Sequence, residues 1–302
     1  MNEREYLNRI HFSCDNETLT KAYEIALADI KSNIKLFKDG LLSEKAFCII
    51  AGAGYDTPWT RDTAINTYNA MALLDREVSL NTLSSVLTKK GDEYFIIGQY
   101  WDAIIWAIGA YRYYTVTGDG EFLKIAQNAI TNSLAKFEQE EFDKDDNLFR
   151  GPAVYGDGIA AYPDRYSEGV GSTCIEGWPG AYRDEAAKVG FGIPMKALST
   201  NCVYYEAYVI LAGMNQLLGL DDGEALAKAE ALKAAINKIF WNEENGTYDY
   251  LAYECDYQEA LGVAFALLFG IADERQTALV LKNTYVTKHG IACVWPSFER
   301  YL

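Results

Sequence analysis

Residues 99–119, QYWDAIIWAIGAYRYYTVTGD, decide the fold that the sequence predicts. Between Gln99 and Thr117, apolar side chains fall on nearly every side of a helix, so neighbouring elements should bury more than one of its faces. Gly118 is suited to end this helix and Asp119 to begin the next, which should run to about Phe142. The stretch therefore predicts two long helices joined by a tight turn.

The same alternation of helix, short turn and helix recurs along the chain. Further helices are predicted over Asn16 to Phe37 (capped by Asp15 or Asn16), Trp59 to Asp75, Leu80 to Leu87, Ser199 to Leu218, Asp221 to Trp241, Gln258 to Ile271 and Asp273 to Val286. Extended segments are predicted over Ala46 to Ala51, Phe95 to Gly98, Thr247 to Tyr253 and Gly290 to Leu302. The helical pairs share no fixed sequence period, which argues against a simple solenoid.

This pattern predicts one all-α domain over residues 1–302, a toroid of helical hairpins with a few short strands in its loops. We count roughly nine helical stretches. An ordinary helical bundle is the alternative, but it would not need the long aromatic loops that separate the pairs. In a toroid such loops gather on one face.

Composition excludes several classes of partner. The chain has 302 residues, half of them hydrophobic, and a formal net charge of -16 from 27 basic and 43 acidic residues. This balance argues against nucleic acid and anionic membrane surfaces, because both require a basic face. No apolar run approaches membrane-spanning length, and the N-terminus lacks a signal-peptide pattern. We therefore expect a cytoplasmic protein without a zinc cluster, in which several of the six scattered cysteines are buried free thiols.

Aromatic residues are abundant for so acidic a chain, with 22 Tyr, 13 Phe and 6 Trp. Those that lie on loops beside carboxylates suggest stacking surfaces for a ring-shaped polar ligand, most commonly a sugar. The alternative is that they only build the core and its rim.

The longest non-helical passage, residues 143–195, contains the stretch GPAVYGDGIAAYPD at residues 151–164. Asp157 lies between two glycines in this stretch, with Tyr155 and Tyr162 nearby. Flanking glycines let the backbone turn sharply and leave the carboxylate uncovered. We interpret Asp157 as a catalytic acid, whereas an ordinary Asp-Gly turn is the alternative reading.

Two predicted helix starts combine an aromatic residue with an acid. The first contains Trp59, Arg61 and Asp62, and the second contains Tyr100, Trp101 and Asp102. Either acid could simply complement the helix dipole. The functional reading is that each tryptophan stacks on a sugar whose hydroxyls the neighbouring polar groups bind. Glu176-Gly177-Trp178 forms a similar group in the long loop.

Four motifs in this order resemble the six-hairpin glycosidases, a superfamily that includes glycogen-debranching-type glucosidases, processing α-glucosidases and related mannosidases. They are TPWTRDTA (57–64), QYWD (99–102), YTVTGD (114–119) and FWNEENGTY (240–248). The resemblance covers most of the chain. It implies an (α/α)6 barrel that hydrolyses a glycosidic bond with inversion and acts on α-linked glucose or mannose oligosaccharides. It further implies Asp157 as the general acid and a substrate-binding set of Trp59, Arg61, Asp62, Tyr100, Trp101, Asp102, Tyr155 and Trp178.

Inverting hydrolysis needs a second carboxylate, roughly 6.5–9.5 Å from the acid, to activate water. Burial of Asp157 against Tyr155 and Tyr162 would raise its pKa, as such an acid requires. The resemblance implies a complete barrel of twelve helices with its base in the last hairpins, so we expect an incomplete C-terminus. Glu299 and Glu176 are the substitutes within the chain.

Other readings stay open at this point. A sugar epimerase with the same fold would use paired histidines, but His11 and His289 lie outside the aromatic-acid groups. A non-catalytic carbohydrate-binding protein is the second alternative. Asp143, Asp145 and Asp146 resemble the start of a calcium loop without its closing Glu, so we expect a solvated turn there. No cofactor or metal is expected, while sugar identity, linkage and oligomeric state are undetermined.

Overall fold

The computed structural model describes residues 7, 10–97, 100–154, 162, 195–253 and 255–295, and for residues 100–102 it describes the backbone only. The chain divides into two compact units. Unit 1 comprises residues 1–99 and 105–132, and unit 2 comprises residues 100–104 and 133–302. The expectation of a single domain stays a prediction.

Unit 1 begins with a helix that is shorter than the sequence predicted. Helix α1 spans Glu17–Ser32, and Asn16 caps it by accepting hydrogen bonds from the N–H groups of Thr18 and Leu19, as expected. The prediction was wrong beyond Ser32, because Ile34–Phe37 forms strand β1. Strand β1 pairs antiparallel with β2, Ala46–Ile49. The stability gained from this pairing outweighs the helical periodicity of the segment.

The next helical run extends from Thr60 to Ser85 with two local changes. It comprises α2 (Thr60–Asn66), a π-helical turn (Thr67–Met71), α3 (Ala72–Leu74) and α4 (Arg76–Ser85). Helix α4 starts earlier than predicted because the Asp75 side chain accepts a hydrogen bond from the N–H of Val78 and caps it. Ile49, Met71 and Val78 form a buried core cluster in this region.

The segment that predicted the fold is helical from Tyr100 to Thr117, but its first turns are tighter than an α-helix. Strands β3 (Leu87–Lys90) and β4 (Glu93–Ile96) form a hairpin before it. A 3-10 helix then spans Tyr100–Ile105 and α5 spans Trp106–Thr117. Gly118 ends α5 in the left-handed conformation (φ 69°), and Asp119 caps α6, Gly120–Glu141, by accepting from the N–H of Phe122. The predicted pair of helices is confirmed.

Helices α2 and α5 pack unusually closely inside unit 1. A Cβ atom at Gly109 of α5 would lie 2.7 Å from the Cα and 2.8 Å from the carbonyl oxygen of Ala64 on α2. Real Cβ atoms do not approach backbone this closely, so only glycine permits the contact. Trp106, one turn earlier on α5, is fully buried and donates its indole N–H to the carbonyl of Leu83 at 3.2 Å.

Unit 2 repeats the pattern of helical pairs separated by short hairpins. Helix α7 spans Leu198–Leu218 and α8 spans Gly223–Ile239. Most of α7 is buried, as its apolar sequence predicts, and the ring of its Tyr204 stacks on Phe149 with centroids 3.7 Å apart. The flanking hairpins pair β5 (Phe142–Asp143) with β6 (Leu148–Phe149) and β7 (Trp241–Asn242) with β8 (Thr247–Tyr248).

The predicted strand over Thr247 to Tyr253 is correct only for its first two residues. After β8 the chain turns tightly, and Tyr250 and Leu251 both donate to the carbonyl of Cys255. Tyr253 takes a left-handed conformation (φ 63°) in this turn, which a continuous strand could not accommodate.

The last described helices are α9, Ala260–Leu268, and α10, Glu274–Asn283. Both are shorter than predicted, because Gln258–Glu259 forms strand β9 and Val286–Thr287 forms β10. Strand β10 pairs with β11 (Gly290–Ile291), and β9 pairs with β12 (Val294–Trp295). Residues 296–302 of the predicted extended segment lie outside the described part.

Two simpler expectations can be compared with the described residues. Cys48, Cys202 and Cys255 are buried free thiols, as predicted, whereas Cys14 and Cys293 are free and exposed. Among the helices that the structure describes, none combines the length and the apolar character needed to cross a bilayer.

Candidate functional site

The first predicted constellation lies at the start of α2 in unit 1. The Trp59 side chain is 37 % exposed, while Arg61 is only 7 % exposed. Asp62 is partly buried in the first helical turn, where the helix dipole favours a negative charge. The structure therefore brings an accessible indole, a buried guanidinium and a carboxylate together within four residues of sequence.

Local contacts fix this helix start. Thr60 is buried, and its hydroxyl donates to the carbonyl of Ile97 beyond β4. The N–H of Thr63 donates to the carbonyl of Trp59 at 2.8 Å, which makes Trp59 the capping residue of α2. Trp59 makes no side-chain cap, as expected of an indole, whose N–H can only donate. Tyr55, in the preceding loop, is 53 % exposed and adds a second accessible ring.

The second predicted constellation is described in part. Tyr100, Trp101 and Asp102 form the first turn of the 3-10 helix Tyr100–Ile105. They lie at a helix start, as predicted, and their side chains lie outside the described part of the structure. Their assignment to substrate binding stays a prediction.

The predicted acid follows a segment whose backbone is closely held in unit 2. Asp157 and Tyr155 lie outside the described residues, as do Glu176, Trp178 and Glu299. The preceding residues 151–154 are described and buried. The N–H of Gly151 donates to the carbonyl of Met195 at 2.8 Å, and the N–H of Ala197 donates back to the carbonyl of Gly151 at 3.2 Å. The segment that precedes Asp157 is thereby bound to the start of α7.

Side chains reinforce this attachment. The N–H of Val154 donates to the hydroxyl oxygen of Ser199 at 3.1 Å, and the hydroxyl of Thr200 donates to the carbonyl of Pro152. The N–H of Ala153 donates to the phenol oxygen of Tyr162 at 3.2 Å. Tyr162 is fully buried and its ring lies over that of Tyr250, with centroids 6.0 Å apart. Tyr162 thus fixes the backbone just before Asp157.

Sequence reasoning missed Glu259, a buried carboxylate in the same unit. It lies at the start of α9, is 5 % exposed, and accepts a hydrogen bond from the N–H of Gly262 at 2.8 Å. A Cβ atom at Gly262 would lie 2.4 Å from this carboxylate and 2.9 Å from the backbone nitrogen of Ser199, so α9 packs closely against the start of α7 here. Burial raises its pKa to about 7 despite the hydrogen bond from Gly262, which favours the charged form.

A signal for Glu259 was present in the sequence. Tyr257-Gln258-Glu259 places an aromatic residue and an acid before a helix, as the groups at Trp59 and Trp101 do. The opposite strand carries Trp295, which is 40 % exposed and stacks on Tyr285 with ring centroids 3.8 Å apart. Trp295 pairs in register with Gln258, so an accessible aromatic surface lies directly across from this helix start.

The acidic turn after α6 differs from its prediction as a solvated turn. The ammonium of Lys196 lies 2.9 Å from a carboxylate oxygen of Asp143 and 2.5 Å from one of Asp146. The side chains of these three residues are 10–21 % exposed, because the hairpin β5–β6 folds against the start of α7. Burial alone would raise the pKa of Asp143, but the hydrogen bonds from Lys196 and from the N–H of Asp145 bring it below the usual value.

A groove of about 830 Å³ lies beside this hairpin. Its lining includes Phe149, Tyr208, Glu138 and Lys228. Tyr208 donates its hydroxyl to Glu138, and Lys228 lies 2.7 Å from the same carboxylate. Burial and this bond to Glu138 raise the pKa of Tyr208. The hydroxyl of Tyr208 and the ammonium of Lys228 therefore both pair with the carboxylate of Glu138.

The remaining chemical possibilities are restricted. In the described ranges no cluster of three or more His, Cys, Asp or Glu side chains could hold a metal ion. His11 in unit 1 and His289 in unit 2 are both exposed. Neither histidine lies in one of the groups of aromatic and acidic residues, so the described residues offer no support for epimerase chemistry.

Comparison with solved structures identifies the class of fold. The chain has the all-α fold of the (α/α)6-barrel glycosidases, which confirms the fold implied by the sequence motifs. No family model matches the chain, and no curated protein matches it.

Three glycosidases of different specificity share this fold. Neutral trehalase from Saccharomyces cerevisiae is 13 % identical over 86 % of this chain, with a TM-score of 0.52. A rhamnosidase from Klebsiella oxytoca, solved with rhamnose bound, is 11 % identical over 90 %, with a TM-score of 0.57. A GH76 α-mannanase from Bacteroides thetaiotaomicron is 12 % identical over 93 %, with a TM-score of 0.51. The chain spans 60 %, 48 % and 74 % of these proteins, respectively.

Proposed function

We propose that the protein is a glycoside hydrolase that cleaves α-linked glucose or mannose oligosaccharides with inversion. The observation that carries the proposal is the likeness of the chain's fold to three glycosidases, one of them an α-mannanase. Because one fold can host many activities, the reaction must also be argued from the residues.

In this proposal Asp157 is the general acid that protonates the leaving oxygen. Its support is the sequence context between two glycines and the buried, hydrogen-bonded segment 151–154 that precedes it. A catalytic acid must be held to within a fraction of an ångström, and loops achieve this only when a rigid frame fixes them. The start of α7 supplies such a frame.

Substrate binding is assigned to the aromatic and polar groups at the helix starts. Trp59 would stack on a sugar ring, since its indole is 37 % exposed. Arg61 and Asp62 would hold hydroxyl groups, and Tyr100, Trp101, Asp102, Tyr155 and Trp178 complete the proposed set. The general base is assigned to Glu299 or Glu176.

Hydrolysis of a panel of α- and β-linked oligosaccharides, followed by reducing-sugar release, tests the proposal. The anomer that forms first, read by NMR, reports inversion. Asp157→Asn should lower kcat about 10²- to 10⁴-fold, the usual effect of removing a general acid. Asp145→Asn is the matched control, because Asp145 is an exposed acid in the hairpin β5–β6. Unchanged activity of Asp157→Asn would refute the assignment of the acid.

The same panel separates an enzyme from a carbohydrate-binding protein. If calorimetric titration shows that the unaltered protein binds an oligosaccharide that it does not hydrolyse, the result would support a carbohydrate-binding protein instead. Trp59→Ala should weaken binding about fivefold in either case, as expected for loss of about 1 kcal/mol of aromatic stacking. Unaltered affinity would remove Trp59 from the proposed set.

A further inference from the structure

The groove beside the hairpin β5–β6 is lined by residues of unit 2 alone. The end of α6 and the exposed side of α8 form its walls, and its volume is about 830 Å³. Small-molecule sites in proteins occupy about 300–1,000 Å³, so the groove is large enough for such a ligand. Of the described residues that line it, none belongs to the substrate-binding set proposed above. A ligand bound here would therefore occupy a second site.

The charged side chains in the middle of the groove are paired with one another. The ammonium of Lys228 lies 2.7 Å from the carboxylate of Glu138 and 2.9 Å from that of Glu224. The hydroxyl of Tyr208 donates to the same carboxylate of Glu138. A charged ligand would have to compete with these pairs, whereas a neutral ligand leaves them intact.

The hairpin side of the groove is balanced in the same way. The guanidinium of Arg150 lies 3.3 Å from the carboxylate of Asp143, which also pairs with Lys196. Lys144 and Asp145, at the tip of the hairpin, are exposed and carry opposite charges. Neither sign of charge dominates the lining, so the groove favours a neutral ligand.

An aromatic ring and two alanines form an apolar surface in the groove. The ring of Phe142 is partly buried and lies against that of the fully buried Phe149, with centroids 5.0 Å apart. This contact holds the Phe142 ring in place. Ala227 and Ala231 are exposed and lie one turn apart on α8, so no long side chain covers this wall at either position. A held ring beside an open wall suits the apolar face of a ring-shaped ligand.

Two exposed carboxamides complete the lining. Gln139 lies near the end of α6, and Asn147 lies in the hairpin, where its N–H donates to the carbonyl of Asp143 at 2.9 Å. Each carboxamide carries both donors and an acceptor, so it can bind a hydroxyl group in either direction. The ligand that matches this lining is neutral, has an apolar ring face and carries hydroxyl groups at its edge. A sugar combines these three properties.

We propose that this groove is a second carbohydrate-binding site, which holds a short neutral oligosaccharide. A protein partner matches it less well, because a stable interface needs about 800 Å² on each side and a centre depleted of charged residues. The choice of a sugar rests on the proposed function, whereas the preference for a neutral ligand follows from the paired charges alone.

Calorimetric titration with maltotriose and α-mannotriose, both with sulfur in place of the glycosidic oxygens to prevent cleavage, tests the proposal. Ala231→Trp should weaken the binding of one of them at least about tenfold, because the indole would occupy the groove. Ala234→Trp is the matched control, since Ala234 is exposed on α8 but does not line the groove, and its effect should stay within about twofold. A trimer of galacturonic acid should bind at least about tenfold more weakly than the neutral sugars, since it would compete with the paired charges.

Equal affinities of Ala231→Trp and the unaltered protein would overturn the proposal, and so would binding of the acidic trimer as tight as that of the neutral sugars. If Ala231→Trp does not fold, Ala227→Trp fills the same wall and decides instead. Binding that is weakened by Trp59→Ala but not by Ala231→Trp would place the sugar at the candidate active site only, which overturns this inference and supports the proposed function.

Two further outcomes separate the inference from its alternatives. If Ala231→Trp abolishes sugar binding although no oligosaccharide is hydrolysed, the second site stands while the proposed function fails. Sedimentation of the protein without sugar tests self-association. A dimer that Ala231→Trp dissociates, in a protein that binds neither trisaccharide, would assign the groove to contact between two copies and overturn the proposal.

Discussion

Replacing Gly109 by alanine should destabilise unit 1 because α2 and α5 approach too closely for a methyl group. The added Cβ would lie 2.7 Å from the Cα, 2.8 Å from the carbonyl oxygen and 3.2 Å from the carbonyl carbon of Ala64. All three are backbone atoms, so no side-chain rotation can relieve the overlap, and the helices must separate. Overpacking of this kind costs about 1–3 kcal/mol, while alanine is preferred over glycine within a helix by about 1 kcal/mol.

Because all three close contacts are with backbone atoms, the cost of overpacking should lie in the upper part of that range, about 2–3 kcal/mol. Subtracting the helix preference of alanine leaves a net loss of about 1–2 kcal/mol in the free energy of unfolding. Urea denaturation followed by circular dichroism measures it. Gly120→Ala is the control, since a Cβ there has no atom within 4 Å, and it should change stability little. Adding Ala64→Gly should not rescue Gly109→Ala, because the overlap is with the backbone of Ala64. A Gly109→Ala protein as stable as the original, or rescue by Ala64→Gly, would refute this account of the packing.

Three further predictions concern charges and caps. Glu206 and Glu259 have pKa values raised by burial from 4.5 to about 7, so each carboxyl binds its proton more tightly in the folded state. Each carboxyl therefore contributes to the free energy of unfolding an amount that is fully present below pH 4.5 and is lost as pH rises through about 7. This contribution is about 3 kcal/mol at most. Glu206→Gln should reduce the difference in unfolding free energy between about pH 5 and pH 8. Lys196→Met should cost about 2–4 kcal/mol in denaturant titrations, because it leaves the largely buried Asp146 without its cation and leaves Asp143 with only Arg150, at 3.3 Å. A loss below about 0.5 kcal/mol would contradict this. Asp273→Ala should cost about 1 kcal/mol by removing the capping box of α10, and an unchanged midpoint of thermal unfolding would argue against it.

The helices were predictable wherever local chemistry and tertiary packing agree. Asn16 caps α1 and Gly118 ends α5 as the sequence indicates, because caps depend on a few neighbouring residues. The prediction failed where pairing with another strand decided the outcome. Ile34–Phe37 has helical periodicity, yet it forms β1 because Ala46–Ile49 lies opposite. Local sequence does not contain that information.

The candidate site was predictable in the same uneven way. Trp59 was predicted to bind substrate from its sequence neighbours; its indole is 37 % exposed, and the assignment stays a prediction. Glu259 was missed because its environment is built by Ser199, sixty positions earlier in the chain, and by the absence of a side chain at Gly262. Asp143 and Asp146 were expected in water, but a lysine from the start of α7 covers them. Partners that are distant in sequence therefore determine the environments of Glu259, Asp143 and Asp146.

The hydrogen bonds between Gly151 and the residues Met195 and Ala197 also have a consequence for how such a chain can diversify. They join the backbone on the two sides of residues 152–194, just before α7. The positions at which this stretch leaves and rejoins the described part of unit 2 are therefore fixed. Because both hydrogen bonds use only backbone atoms, substitutions between the two ends leave them intact, and residues carried on this stretch could diversify while its points of attachment are kept.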